Sequence, residues 1–218
     1  LSHPALISFF FFKRLQLLQF LLSCALFRAI SLAAFFPAAS RTEFQFVYLV
    51  LPQFFFIANI DEQIALAREG KPCGLFFKTN SVTDKDIIVK IAEASQAGVP
   101  VTLLVRGISC LVPGVPGYTD NVRVVSIVGR LLEHSRIYGF GPRENIKIYL
   151  SSADLMTRNM EKRVEIAWPI LDEGLRNQVL DYIDTCLRDT AKLRELKADG
   201  SYKALYVKWF GSEPAAKQ

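Results

Sequence analysis

Cysteine pairs are missing from this sequence. Its four cysteines, Cys24, Cys73, Cys110 and Cys186, form no CxxC motif, and no histidine stands near them at zinc-ligand spacing. They read as free thiols in a reducing compartment, with Cys73 and Cys110 as small core residues in apolar stretches. Histidine is scarce too: only His3 and His134 occur. Long uninterrupted apolar runs are also lacking. The run Leu15–Phe27 stops at Arg28 after 13 residues, short of the roughly 20 that span a bilayer. The charge-free stretch from Phe44 to Ile60 is divided by Pro52 and two glutamines.

Other scarcities are local. The first 58 residues hold no glycine and no aspartate, and only five charged side chains: Lys13, Arg14, Arg28, Arg41 and Glu43. The same residues hold 13 of the 17 phenylalanines. From Asn59 onward the composition is that of an ordinary globular domain, with 22 basic and 20 acidic residues. The sequence therefore divides into a hydrophobic, Phe-rich segment (1–58) and a folded domain (59–218). Three readings of the first segment stand open. Lys13 and Arg14 before an apolar run, with Ala38 and Ala39 after it, resemble a secretory or membrane signal. A buried helix pair is the second, although no sustained 3.6-residue period marks it. Translation of T-rich DNA out of frame is the third, since the Phe runs at 9–12 and 54–56 fit it. No catalytic role is assigned to this segment, and none to His3. The cytoplasm is the expected compartment, with membrane association as the alternative.

The remainder reads as a mixed α/β domain. A helix is expected over Asp61–Glu69, closed by Gly70. Cys73–Lys78 follows as a buried strand. A helix over Asp84–Ala97 has Thr83 as its N-cap and Ile87, Ile88, Ile91, Ala92 and Ala94 on one face. Pro100–Val105 is a second apolar strand, and strand–helix–strand over about 30 residues makes the two strands parallel. A Pro/Gly loop follows at Val112–Gly117. Val122–Val128, His134–Phe140, Asn145–Ser151 and Arg163–Ile170 are strand-like. Leu175–Leu187 is an amphipathic helix with Leu175, Val179, Ile183 and Leu187 in one stripe. Lys192–Val207 forms a hairpin around Asp199-Gly200.

Three stretches carry features that core packing does not require. Lys78-Thr-Asn80-Ser leaves the first strand and Arg106-Gly leaves the second, so Lys78 and Arg106 are placed side by side outside the carboxyl ends of parallel strands, where ligands bind. Both suit phosphate, and the guanidinium holds two oxygens at once. In the third stretch His134 opens a strand, and strand alternation puts Arg136 on its face. An imidazole beside a guanidinium suits phosphoryl chemistry, the first as acid, base or nucleophile and the second as a clamp on equatorial oxygens. Ser151, Ser152 and Asn159, after another strand end, are further candidates for the same cleft. Against this, a lone histidine at a strand start is usually a polar cap, and an arginine after a strand is usually solvated. Tyr138 and Phe140 are read as strand packing.

The stretches KTNSVTDKDIIVKIAEASQAGV, LLVRGISCLVPGVPG, NVRVVSIVGRLLEHSRIYGFG and YLSSADLMTRNMEKRVEIAWPI resemble the last catalytic domain of type 1 polyphosphate kinases. The resemblance runs from about Asn59 to the C-terminus. It implies a phospholipase D-like mixed sheet flanked by helices. It also implies reversible transfer of the ATP γ-phosphoryl group to inorganic polyphosphate, with Mg²⁺ as cofactor. His134 matches the histidine that faces a phosphorylated histidine of the preceding domain, and Arg106 matches an arginine on nucleotide phosphate. Ser151, Ser152 and Asn159 fall where phospholipase D proteins place their serine and asparagine partners, and with Lys78, Asn80 and Arg136 they complete the expected phosphate-binding positions. Arg136 stands where phospholipase D proteins have lysine. The partners implied are ATP, ADP, polyphosphate and the upstream catalytic domain, in an enzyme that is a homo-oligomer when complete. No nucleic-acid partner is expected. The metal and adenine positions fall mostly in the preceding domain, so no metal ligand is assigned here and the chain alone is expected to be inactive. The alternatives are a phospholipase D-like phosphodiesterase built from two histidine half-sites and a membrane-tethered phosphate-binding module.

Overall fold

The computed structural model describes residues 47–49 and 52–204. The run Leu15–Phe27, Cys24, His3 and the hairpin beyond residue 204 lie outside the described residues.

The first helix, α1 (Pro52–Arg68), runs straight through Asn59, where the composition changes. Phe56, Ile60 and Ile64 recur at helical spacing and are buried. Phe54 and Ile57 on the other sides are apolar too, which hides the period. Thus residues 52–58, grouped by composition with the Phe-rich segment, form the first turns of α1. The Phe56 ring meets Phe77 and Tyr138 edge-on, with centroids 6.3 and 4.6 Å away.

Strand β2 (Leu75–Thr79) follows and is buried throughout. Helix α2 (Lys85–Gln96) is capped by Asp84, whose carboxylate accepts from the Ile87 N–H at 3.1 Å. The expected cap, Thr83, instead donates its N–H to the Leu155 carbonyl. An aspartate competes better for the cap because it brings charge to the helix N-terminus. Asp84→Ala is expected to cost about 1 kcal/mol, lowering the melting temperature by roughly 2–4 °C, measurable by calorimetry.

Strands β3 (Val101–Val105) and β4 (Val122–Ser126) continue the parallel set. The rest run antiparallel to their neighbours: β1 (Val47–Leu49), β5 (Ile137–Phe140), β6 (Lys147–Ser151), β7 (Glu165–Pro169), β8 (Arg194–Leu196) and β9 (Tyr202–Ala204). The described strands form one sheet in the order β1-β7-β6-β5-β2-β3-β4-β8-β9. A short helix, α3 (Thr157–Lys162), precedes β7. Alternation along β2 splits its side chains between two cores. Leu75 and Phe77 join the α1 and α2 side, while Phe76 joins the side covered by α4 (Glu173–Leu187). On α4 the buried residues are Leu180, Ile183 and Cys186, whereas Leu175 is exposed, so the stripe is rotated from the expected one. Cys110 is exposed rather than in the core, because it follows the sheet edge on a loop. The hairpin turns at Gly200, whose φ of 81° favours glycine.

This topology brings many chain segments to one edge. The carboxyl ends of β2, β3, β4 and β6 lie there, with the amino ends of β5, β7 and β8. The emerging loops are knit by backbone hydrogen bonds, from Val82 to Ile108 and from Leu155 to Ser81. The edge is therefore a fixed platform for side chains.

Candidate active site

His134 and Arg136 lie in the extended segment just before β5, not within it. They still meet: Arg136 Nη2 is 2.8 Å from His134 Nε2. A guanidinium only donates, so Nε2 accepts here and the ring proton resides on Nδ1. Asp154 Oδ2 lies 3.7 Å from the same nitrogen.

Asp154 is the residue that organises the edge, and the sequence reading passed over it. Its carboxylate accepts from Arg136 Nη2 at 2.9 Å, from Thr79 Oγ1 at 2.9 Å and from the Asn80 N–H at 2.8 Å. Burial pushes its acidity constant up, but hydrogen bonds from Arg136, Asn80 and Thr79 outweigh burial and hold the carboxyl below the usual range. The reciprocal effect keeps Arg136 fully charged: its bond to Asp154 raises its value against the opposing effect of burial. Arg136 Nε is buried without a hydrogen-bond partner among the described residues.

Asn80 extends the network. Its Oδ1 accepts from Arg106 Nε at 2.8 Å, which fixes the guanidinium plane. Arg106, Asn80, Asp154, Arg136 and His134 thus form one unbroken set of polar contacts along the edge.

The other expected site residues are placed differently. Lys78 points to the α4 side and is 3% exposed. Its ammonium lies 3.4 Å from the Ser135 carbonyl, 3.9 Å from Glu133 and 5.8 Å from the Tyr182 ring centroid. Burial lowers its proton affinity, and Arg106 lowers it further, while Glu133 opposes both. Lys78 stands behind the cleft and pins the loop that carries His134. Ser151 Oγ donates to the Ile166 carbonyl at 2.8 Å. Ser152 Oγ and Asn159 Nδ2 both donate to Glu165, at 2.5 and 2.6 Å. These three bind the start of β7 to the edge, with Ser151 and Asn159 buried and Ser152 exposed. Glu165, 5% exposed, joins Ser152 and Asn159 and was also unforeseen. The available signal for Glu165 was a carboxylate opening a largely apolar strand; Asp154, in the loop after β6, had no such local signal.

Anionic phosphate fits Arg106, Arg136 and His134. Magnesium does not fit this edge. Asp154 and Glu165 are each committed to cationic or neutral donors, and no group of three His, Cys, Asp or Glu ligands stands together among the described residues. No helix among the described residues is long and apolar enough to cross a membrane.

The strand order and the histidine-bearing edge define a phospholipase D-like α/β domain. The fold is shared with Nuc, a phospholipase D family member from Salmonella typhimurium, at a TM-score of 0.50 and 15% identity over 70% of this chain and 97% of that one. Within that class the chain belongs to the polyphosphate kinase family: the profile described as polyphosphate kinase C-terminal domain 2 matches residues 51–214. It is 54% identical over 147 residues to the polyphosphate kinase of Bacillus cereus, covering 67% of this chain and 21% of that protein. It is 48% identical over 135 residues to that of Escherichia coli K12, covering 62% and 20%. The crystal structure of the Porphyromonas gingivalis polyphosphate kinase superposes with a TM-score of 0.70 at 34% identity, covering 83% of this chain and 27% of that one. The chain spans about a fifth of the length of these curated relatives.

Proposed function

We propose that this chain supplies one wall of a site that transfers the γ-phosphoryl group of ATP reversibly to the end of inorganic polyphosphate. The observation that carries the reading is the joined set from Arg106 through Asp154 to His134, fixed at the sheet edge. The names of the relatives supply the substrates.

The chemistry assigned to each residue follows from its contacts. Arg106, with Nε anchored on Asn80, has its two terminal nitrogens left to hold oxygens of a phosphate. Arg136, held by Asp154, keeps positive charge beside the imidazole and stabilises negative charge that develops on equatorial oxygens. His134 gives or takes the proton of a phosphate oxygen through Nε2 once a substrate displaces Arg136 from it. Asp154 touches no substrate in this scheme and acts as a positioning residue. Bound Mg²⁺ would neutralise phosphate charge, from ligands outside this edge, and no step is assigned to it here.

Transfer through a phosphohistidine opposite His134 requires a second histidine, and His134 is the sole histidine in the matched residues. The chain alone is therefore expected to bind phosphates without turnover, because in-line transfer needs both walls. Leu131 and Leu132, 80% and 71% exposed beside His134, suit contact with the opposite wall. The test is an assay of the purified chain with ATP, Mg²⁺ and a polyphosphate primer. No chain growth is expected, and sustained synthesis would overturn this assignment.

A further inference from the structure

A second basic feature lies beside Arg106, away from His134. A cavity of about 530 Å³ opens between the ends of β3 and β4 and the β8–β9 hairpin. Arg106, Lys192 and Arg194 line it, together with Ser126, Val128 and Tyr202. Register explains the convergence: Ser126, the last residue of β4, pairs with Arg194, the first of β8, and Arg106 directly follows the neighbouring β3.

The charge balance of this cavity is one-sided. No carboxylate lines it among the described residues. Among the described residues neither the Lys192 ammonium nor the Arg194 guanidinium is in an ion pair, although Glu195, next to Arg194, pairs with Arg123 at 2.7 Å. Three cations around one cavity repel each other until an anion enters, and low-dielectric walls focus that field. Arg106 belongs to both places, since its Nε is tied to the His134 network and its side chain lines the cavity.

We propose that this cavity is a subsite for the linear inorganic polyphosphate chain, holding phosphates beyond the one at Arg106. The inference rests on the phosphoryl-transfer reading above and adds Lys192, Arg194 and Ser126 to it. A chain with negative charge on every unit matches cations spaced around a cavity. A nucleoside would need an apolar slot, and Tyr202, 43% exposed, is the only aromatic side chain that lines the cavity among the described residues.

The test is calorimetric titration of the full chain with inorganic tripolyphosphate and, separately, with adenosine. Lys192→Ala/Arg194→Ala is expected to weaken tripolyphosphate binding at least about tenfold. The charge-preserving Lys192→Arg/Arg194→Lys variant should stay within about threefold of the unsubstituted chain, which separates charge loss from misfolding. Adenosine should neither bind nor compete. Unchanged affinity in the double alanine variant, competition by adenosine, or no tripolyphosphate binding to the unsubstituted chain each overturns the subsite. Arg106→Ala tells the two readings apart. If it abolishes tripolyphosphate binding while the double alanine variant keeps it, the phosphate-handling edge stands and only this subsite falls.

Discussion

Replacing Asp154 with alanine lowers the melting temperature by on the order of 10 °C, from a loss of about 3–5 kcal/mol. The carboxylate is nearly buried, with 8% side-chain exposure, and Arg136 beside it has 17%. Removing the acid strands a guanidinium in a poorly solvated place and orphans the Thr79 hydroxyl and the Asn80 N–H. Asp154→Asn should fall between, because the amide oxygen still accepts from Thr79 and Asn80 while the charge facing Arg136 is gone. Pairing Asp154→Leu with Arg136→Met should recover part of the loss, since an apolar pair leaves no buried charge. The pH dependence has a definite sign. A carboxyl held below its unfolded value of about 3.9 contributes stability that is complete above that pH and disappears as pH falls through the lower folded value. The stability gap between the unsubstituted chain and Asp154→Asn should therefore narrow in acid below about pH 4, followed by denaturant unfolding. A gap that persists unchanged to pH 2 would contradict the assigned network.

His134→Ala removes the only imidazole among the described residues. Within a complete enzyme it should cut the rate of phosphoryl transfer by about 10²–10⁴ and leave the melting temperature within a degree or two, because the ring is 43% exposed and supports no core contact. Arg136→Lys is the informative companion. The ammonium of a shorter, differently directed side chain does not reach the place of Nη2, the one nitrogen that touches Asp154 and His134 together, so this exchange should lower the rate as well as the stability. Equal rates in His134→Ala and the unsubstituted protein would remove the imidazole from the chemistry.

The central parallel unit was legible in the sequence because local signals agree there. Apolar runs at β2 and β3, an amphipathic α2 and the glycines Gly70 and Gly98 after α1 and α2 leave one arrangement. The placement of Arg106 just after β3 and of His134 just before β5, at one sheet edge, was legible for the same reason, since both are polar groups beside apolar strands. The start of α1 was not. Its Phe-rich turns are apolar on nearly every side, so the period that marks a helix is absent, and composition alone assigned those residues to a different piece. Asp154 was not legible either. Its importance depends on the loop after β6 reaching past β5 to the loop after β2, across 74 residues of chain from Asn80. The same limit applies to Ser151, Ser152 and Asn159. Their residue types suggested a cleft, but Glu165 and the Ile166 carbonyl, thirteen to fifteen residues on from the serines, take up their hydrogen bonds.

The central claim is that this edge is one wall of a phosphoryl-transfer site. Its most direct test is a chimera in which this chain replaces the matching segment of the Bacillus cereus polyphosphate kinase, 54% identical to it, assayed for ATP-dependent polyphosphate synthesis with and without His134→Ala. The account predicts synthesis by the chimera and a loss of about a hundredfold or more in the His134→Ala form. A chimera whose synthesis is unaffected by His134→Ala would contradict it.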